Sequence, residues 1–389
     1  MAYPRLMPDD VPGGPAGALA VGPGPSQRRP RSLLVVTVVV LAVCGLLSLG
    51  AVTMEVGLTG LLPGLLLAAV PVGPVLATVL WLDRHEAEPP HLLAFAFGWG
   101  ACVASLGALV LNTLSSELLA RAVGDVTSTS VVVAPLVEES LKGLGVLLVV
   151  LVQRRQFDGV VDGIVYAACV GVGFAFLENV LYLGRAMSTD GGGSLVAVFV
   201  LRCLVSPFAH PLFTMAFGVG LGLAARSRPG PVRVLAPLAG LVVAVGLHAA
   251  WNASASQGAT AFLEVYVLLQ VPVFAAAVVV ALLARRRESR LVGRHLEVYV
   301  RTGWLSEAEL RMLASGRGRR DARAWALRAG GRPAAGTVRD FQETATELAF
   351  RRDRAWRGTQ LPSPDEELVL LRRLAGERAR LLQLVPDRG

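Results

Sequence analysis

The sequence predicts an all-α protein: a polytopic membrane helix bundle of about eight transmembrane helices, with a helical or partly disordered cytoplasmic tail. Three observations carry that expectation. Hydrophobic residues make up 53% of the 389 and charged residues only 17%, which places the chain among membrane proteins. The apolar residues fall into repeated blocks close to the ~20 residues that a bilayer requires. The arginines then mark alternate connections between the blocks, as short cytoplasmic loops do.

Taken in order, the spans are read at 33–52, 58–82, 92–115, 131–152, 160–184, 197–224, 233–252 and 259–284. Arg28, Arg29 and Arg31 precede the first span. Arg84, then Arg154 and Arg155, then Arg226, Arg228 and Arg233, then Arg285, Arg286 and Arg287 fall on every second connection after it. The intervening connections, near Glu55, 117–129, 188–194 and 254–260, are poor in arginine or balanced. Both termini are therefore expected in the cytoplasm, in agreement with an even number of spans. Residues 1–32 are rich in Pro, Gly and Ala without apolar periodicity and read as a disordered cytoplasmic arm. The first span is longer than a typical signal-peptide core and follows a long arm, so it reads as a retained helix.

Residues 285–389 hold 23 arginines against 14 acidic residues, essentially all of the chain's charge excess. Leu296, Val300, Leu310 and Leu313 recur there with helical spacing. The expected partner of this region is anionic membrane lipid, which attracts juxtamembrane basic residues by about 1 kcal/mol each. With no base-reading motif, no nucleic-acid partner is expected. Cys44, Cys102, Cys169 and Cys203 all fall in predicted spans without a Cys-x-x-Cys pair. They read as small buried residues, neither disulfides nor metal ligands.

The fourth span carries the chain's only lysine, Lys142, beside Glu138 and Glu139. Three ionisable groups cost roughly 8 to 10 kcal/mol at membrane depth, and the fourteen Val and Leu residues of 131–152 return only about 4 to 8. This helix is expected to need partners. On a 3.6-residue period the three groups share one face, with the lysine angularly between the carboxylates. Phe174, Glu178 and Tyr182 recur every four residues on the fifth span with Asn179 adjacent, His210 and Thr214 share a face of the sixth, and His248, Trp251 and Asn252 do so on the seventh. At 1.5 Å per residue, Glu138 lies roughly 10 Å from the outer boundary, Glu178 roughly 9 Å, His248 roughly 6 Å and His210 roughly 10 to 20 Å. Helices of opposite direction bring carboxylates and imidazoles to the same outer half of the membrane, which points to one site. Asp158 and Asp162, near the other end of the fifth span, are expected to cap or orient that helix, and Arg202 to lie near the outer interface.

The runs Glu138-Glu-Ser-Leu-Lys142, Asp158-Gly-Val-Val-Asp162 through Gly171-Val-Gly-Phe-Ala-Phe-Leu-Glu-Asn179, His210-Pro-Leu-Phe-Thr214 and His248-Ala-Ala-Trp-Asn252 together resemble the PrsW family. Those are polytopic intramembrane proteases, grouped with the CPBP and Rce1-type glutamate proteases. The resemblance covers roughly residues 33–284 and leaves out the arm and the tail. It implies a bacterial cell-membrane peptidase that makes an extracytoplasmic-side cut, of the site-1 type, in a single-pass membrane protein such as an anti-sigma factor.

Peptide hydrolysis needs an activated water, a partner for the developing oxyanion and a proton for the leaving amine. Two arrangements of these residues supply them. In one, Glu178, His210 and His248 hold a zinc ion with Glu138 or Glu139 as general base. In the other, no metal is present: Glu138 or Glu139 and a histidine activate the water, and Asn252 helps to hold the oxyanion. Lys142 and Asn179 support the carboxylates in either case. A transporter would use similar residues but spread them along a path or an internal repeat, and a catalytically silent scaffold would work through the tail.

The arginine distribution makes a direct prediction. Cysteines introduced at 188–194 should react with an impermeant reagent on intact cells, and cysteines at 154–156 or beyond 285 should not. Labelling at both sets of positions would overturn the eight-span topology.

Overall fold

The computed structural model describes residues 31–83, 88–123, 129–153, 157, 159–189, 193–228, 230–359 and 363–385. Residues 1–30 of the predicted N-terminal arm and the arginines at 84, 154 and 155 lie outside these, and residues 31–32, assigned to that arm, instead open the first helix. Every regular element among the described residues is a helix. The chain divides into two compact units, meeting in sequence at Leu283 and Ala284, and each is described by itself.

In the first unit, α1 (Arg31–Leu82) is 52 residues long, about 78 Å of helix at 1.5 Å per residue and more than twice a hydrocarbon core of about 30 Å. It is broken at Gly57, whose φ of 66° and ψ of 177° suit a residue without a Cβ. The two halves correspond to the first two predicted spans. Next come α2 (Pro90–Gly98) and α3 (Ser105–Val123), then α4 (Ala134–Val152), α5 (Val160–Thr189), α6 (Leu195–Phe199), α7 (Ala209–Arg226), α8 (Val232–Ser256), α9 (Ala259–Val265) and α10 (Val271–Arg301). Six helical stretches among the described residues are long and apolar enough to cross a membrane. The helix α4, with its three charged side chains, is a further apolar segment of 19 residues.

The organising helix is α5, where 83% of the most apolar stretch is buried, against 11% for α1. Glycines let its neighbours approach backbone to backbone, as small residues do in membranes. A Cβ added at Gly163 would lie 2.0 Å from the Gly218 carbonyl oxygen, one at Gly171 would lie 2.7 Å from Pro211, and one at Gly222 would lie 2.5 Å from Gly159. These contacts run in opposite directions along α5 and α7, so the pair is antiparallel. The same holds for α7 and α8, where a Cβ at Gly220 would meet Ala236 and one at Gly240 would meet Ala216. Continued along the helices, that register sets His210 beside His248. On another face of α5, Gly173 meets Phe97 and Gly100 meets Val170.

Four π-helical turns interrupt the described helices: Trp99–Ala104, Thr129–Val133, Val200–Val205 and Tyr266–Gln270. The sixth predicted span is corrected by the third of these. Instead of one helix over 197–224, the chain leaves the helix at Ser206, with φ −124° and ψ 37°, and re-enters at Ala209. The residue before a proline is driven out of the α region, and Pro207 is that proline. The eighth span is corrected at its other end, because α10 runs past residue 284 to Arg301 through Arg, Glu and Leu residues that favour helix.

The second unit is helical too, with α11 (Glu307–Leu313), α12 (Gly316–Arg357, bent at Gly331) and α13 (Pro364–Leu384). Leu296 and Leu313 are buried in its core with Phe341, Leu348 and Leu371, while Val300 and Leu310 pack partly buried around it. A capping box, in which Ser306 accepts from the Glu309 N–H and Glu309 accepts from the Ser306 N–H, starts α11. Arg378 then clamps the same carboxylate through Nε at 2.7 Å and Nη2 at 2.9 Å.

The glycine contact between α5 and α7 gives a stability prediction. Gly163→Ala should lower the unfolding free energy in detergent by about 1 to 3 kcal/mol, the range for overpacking. Gly246→Ala, where an added Cβ meets nothing within 4 Å, should not. Equal stability of the two variants would refute the close-packing argument.

Candidate active site

The helix α4 presents Glu138, Glu139 and Lys142 to the interior, with exposures of 7%, 1% and 0%. The Lys142 Nζ lies 2.7 Å from Glu139 Oε1 and 3.6 Å from Glu138 Oε2, so the lysine sits between the two carboxylates as the helical spacing requires. It also lies 3.2 Å from His210 Nδ1 and 3.8 Å from the centre of the Phe174 ring, whose negative face favours a cation. The α4 backbone is fixed here by Trp99, whose indole N–H donates to the Leu141 carbonyl at 2.9 Å.

The antiparallel trio α5, α7 and α8 supplies the rest. His248 Nδ1 is 2.9 Å from Glu139 Oε1, and Thr214 donates its hydroxyl to Glu139 Oε2 at 3.0 Å. Glu139 thus accepts from three helices' worth of partners. His210 Nε2 lies 2.5 Å from Glu178 Oε2. The two imidazole rings meet edge to face at 5.2 Å, and Phe213 stacks on His248 at 5.0 Å. Glu138, Glu139, Glu178, His210, His248 and Lys142, read from the sequence as one site, are brought into one connected cluster.

The remaining residues fall around it. Arg202, expected near the outer interface, pairs with Glu178 at 2.5 Å and with Asn179 Oδ1 at 2.7 Å, over the face of Tyr182. The π-helical turn at Val200–Val205 puts it there, and its only sequence signal is an arginine inside an apolar run. Asn112, not singled out from the sequence, donates to Glu138 Oε1 at 3.1 Å. Asn252, expected at the oxyanion, is half-buried and donates to the Ser130 carbonyl at 2.8 Å. Asp162 accepts from the Gly159 N–H at 3.1 Å and so caps the start of α5. Asp158 lies outside the described residues.

Hydrogen bonding settles how each imidazole faces the centre. An ionised carboxylate only accepts, so Glu139 requires the proton of His248 on Nδ1, and Glu178 requires that of His210 on Nε2. The other nitrogens, His248 Nε2 and His210 Nδ1, are turned inward. Carboxylates that orient metal-binding histidines act in this way. His248 Nε2 is 3.7 Å from Glu138 Oε2, and that oxygen is buried with no hydrogen-bond partner. Glu138, His210 and His248 each offer one ligand atom within 4.8 Å of the others. Glu178, expected as the carboxylate ligand, is instead engaged by Arg202 and by His210. Two imidazoles and a carboxylate are a common catalytic zinc set. Among the described residues the three carboxylates pair with Lys142 and Arg202 as cations, which leaves the cluster formally one negative charge. The donor set and its charge therefore fit a divalent metal ion, to which His210 Nδ1 would turn from Lys142 Nζ, 3.2 Å away in this structure.

A helical membrane bundle with a buried Glu/His/His set drawn from three helices defines the class: a polytopic membrane protein with a candidate metal centre at the meeting point of α4, α7 and α8. Comparison with known proteins narrows it. Residues 88–277 match the PrsW family intramembrane metalloprotease. The Protease PrsW of Bacillus subtilis (strain 168) is 31% identical over 186 residues, which cover 48% of this chain and 79% of that protein. The Protease PrsW of Clostridioides difficile (strain 630) is 31% identical over 149 residues, covering 37% and 60%, and that of Geobacillus kaustophilus (strain HTA426) is 32% identical over 161, covering 41% and 66%. The chain thus spans under two thirds of the latter two proteins. No solved structure matches it. The chain belongs to the PrsW family.

Lys142→Met should destabilise the folded bundle by about 3 to 5 kcal/mol, because it leaves the carboxylates of Glu138 and Glu139 buried without their cation. The triple change Glu138→Gln, Glu139→Gln and Lys142→Met should recover much of that loss. Chemical unfolding in detergent measures both, and a single variant as stable as the wild type would show that the lysine is not the counter-charge.

Proposed function

We propose that the chain is an intramembrane peptidase that hydrolyses a peptide bond of a single-pass membrane protein near the extracytoplasmic side, with Glu138, His210 and His248 as the reactive centre. The observation that carries this reading is Glu138 Oε2, which makes no hydrogen bond among the described residues, has Lys142 Nζ at 3.6 Å, and faces His248 Nε2 across 3.7 Å inside a buried Glu/His/His group. Buried polar atoms are nearly always satisfied, so one left open beside an inward-facing imidazole nitrogen suits a reactant. Family membership supports proteolysis. The arginine pattern supports the side of the cut, and the resemblance supports an anti-sigma factor as substrate.

A zinc ion held by Glu138, His210 and His248 would polarise a water or the scissile carbonyl. The chain's own groups do the rest. Glu139 and Glu178 fix the tautomers of the two histidines, so that lone pairs and not N–H groups face the centre. Glu139 is itself held by Lys142, His248 and Thr214 and cannot turn away. Glu138, anchored on one oxygen by Asn112, keeps the other for the reacting atoms. Lys142 offsets charge beside them, and apolar rings of Phe174 and Phe213 line the histidines and exclude bulk water.

The test is cleavage of membrane-spanning peptides by purified protein in proteoliposomes. Glu138→Gln, His210→Ala and His248→Ala should each lower the rate by roughly 10²-fold or more, and the double histidine variant should be little worse than either, because members of one catalytic unit are non-additive. Chelation should stop cleavage and zinc restore it. Two partial histidine defects that multiply would show separate packing roles. Indifference to a chelator shown to remove bound metal would reject the metal centre.

A further inference from the structure

Next to His210 in the sequence, Ala209 and Leu212 form the buried floor of a cavity of about 250 Å³ that the reaction described above does not use. One wall is the interrupted stretch Val205–Phe208 ahead of α7. The opposite wall is the π-helical turn Tyr266–Gln270 with the start of α10. The walls meet where the Tyr266 hydroxyl donates to the Val205 carbonyl at 2.8 Å and where the rings of Phe208 and Phe274 lie 5.4 Å apart. The rim is apolar and open: Leu204, Val271 and Phe274 are 58%, 46% and 38% exposed. In a membrane-spanning chain that opening faces lipid.

One side chain does not match this lining. Gln270 is 5% exposed, and its Nε2 has no hydrogen-bond partner among the described residues. An amide removed from water without an acceptor is costly, and lipid tails offer none. The cavity is smaller than the ~300–1,000 Å³ of a typical small-molecule site and suits a single large apolar side chain.

We infer that this cavity receives an apolar side chain of a membrane-embedded peptide substrate, and that Gln270 Nε2 donates to a backbone carbonyl in an unwound stretch of the same peptide. The inference rests on the proteolytic reading above and names the feature of the substrate that the site selects. A continuous transmembrane helix has its carbonyls bonded internally and offers Gln270 nothing. An interrupted helix offers a free carbonyl, and it also exposes the peptide bond that hydrolysis needs. Specificity then comes from a donor that only an unwound segment satisfies, since a site built to hydrogen-bond rejects partners that leave it unpaired.

The experiment uses full-length protein with photoreactive benzoylphenylalanine in place of Phe274, in phosphatidylcholine/phosphatidylglycerol vesicles. Two synthetic single-span peptides serve as probes, one a continuous leucine-rich helix and one with a central Phe-Gly-Pro-Gly interruption. The interrupted peptide should crosslink and the continuous one should not. Gln270→Leu should lower the crosslinked fraction about three- to tenfold, the worth of one hydrogen bond, without lowering the thermal stability of the protein. Equal crosslinking of both peptides, crosslinking to lipid alone, or indifference to Gln270→Leu would overturn the proposal. Cleavage is scored separately on protein with Phe274 intact: crosslinking without cleavage refutes the hydrolytic reading and leaves the docking site, whereas cleavage that Gln270→Leu leaves unchanged refutes the docking site alone.

Discussion

The bundle depends on the contact between Lys142 and Glu139, a full ion pair at 2.7 Å with both side chains inaccessible. Each ionisable group in a membrane helix costs roughly 2.5 to 3.5 kcal/mol to insert, and bringing the two together recovers that cost only if their remaining donors and acceptors are also satisfied. Helix α4 itself adds Glu138 at 3.6 Å from the lysine. The remaining partners come from Thr214 and His210 on α7 and from His248 on α8. The polar network therefore specifies which helices meet and in what rotation, while the apolar residues around it would tolerate many arrangements.

What allows those helices to meet is the absence of side chains elsewhere. The Gly163/Gly218 and Gly171/Pro211 contacts fix the register of α7 on α5, and this register, not the imidazole itself, decides that His210 arrives at Glu178. Small residues and charged residues do complementary work here. The first set the distance between backbones, and the second set the rotation of each helix about its axis.

Much of this was legible in the sequence. The apolar blocks contained the helices, and the spacing of Glu138, Glu139 and Lys142 placed the lysine between the carboxylates, where the structure puts it. The shared depth of Glu178, His210 and His248 anticipated their connection, because the rise per residue is nearly constant in any straight helix. What failed depended on departures from that straight helix. The π-helical turn that carries Arg202 to Glu178 changes both rise and rotation, and nothing in local propensity marks it. Pro207 did mark the break before α7, but an apolar run on both sides concealed it. The choice among Glu138, Glu139 and Glu178 depended on hydrogen-bond partners such as Asn112 and Arg202, which lie far away in the sequence and close in space.

The order of the partners along the chain has a consequence for biosynthesis. Lys142 is made about a hundred residues before His248, so at about 5 to 20 residues per second the ribosome takes about 5 to 20 seconds to supply the last member of the network. Throughout that interval α4 is a marginally hydrophobic nascent segment with exposed charge. A chain cut short before α8 therefore carries Lys142 and Glu139 without the imidazole that completes their hydrogen bonding.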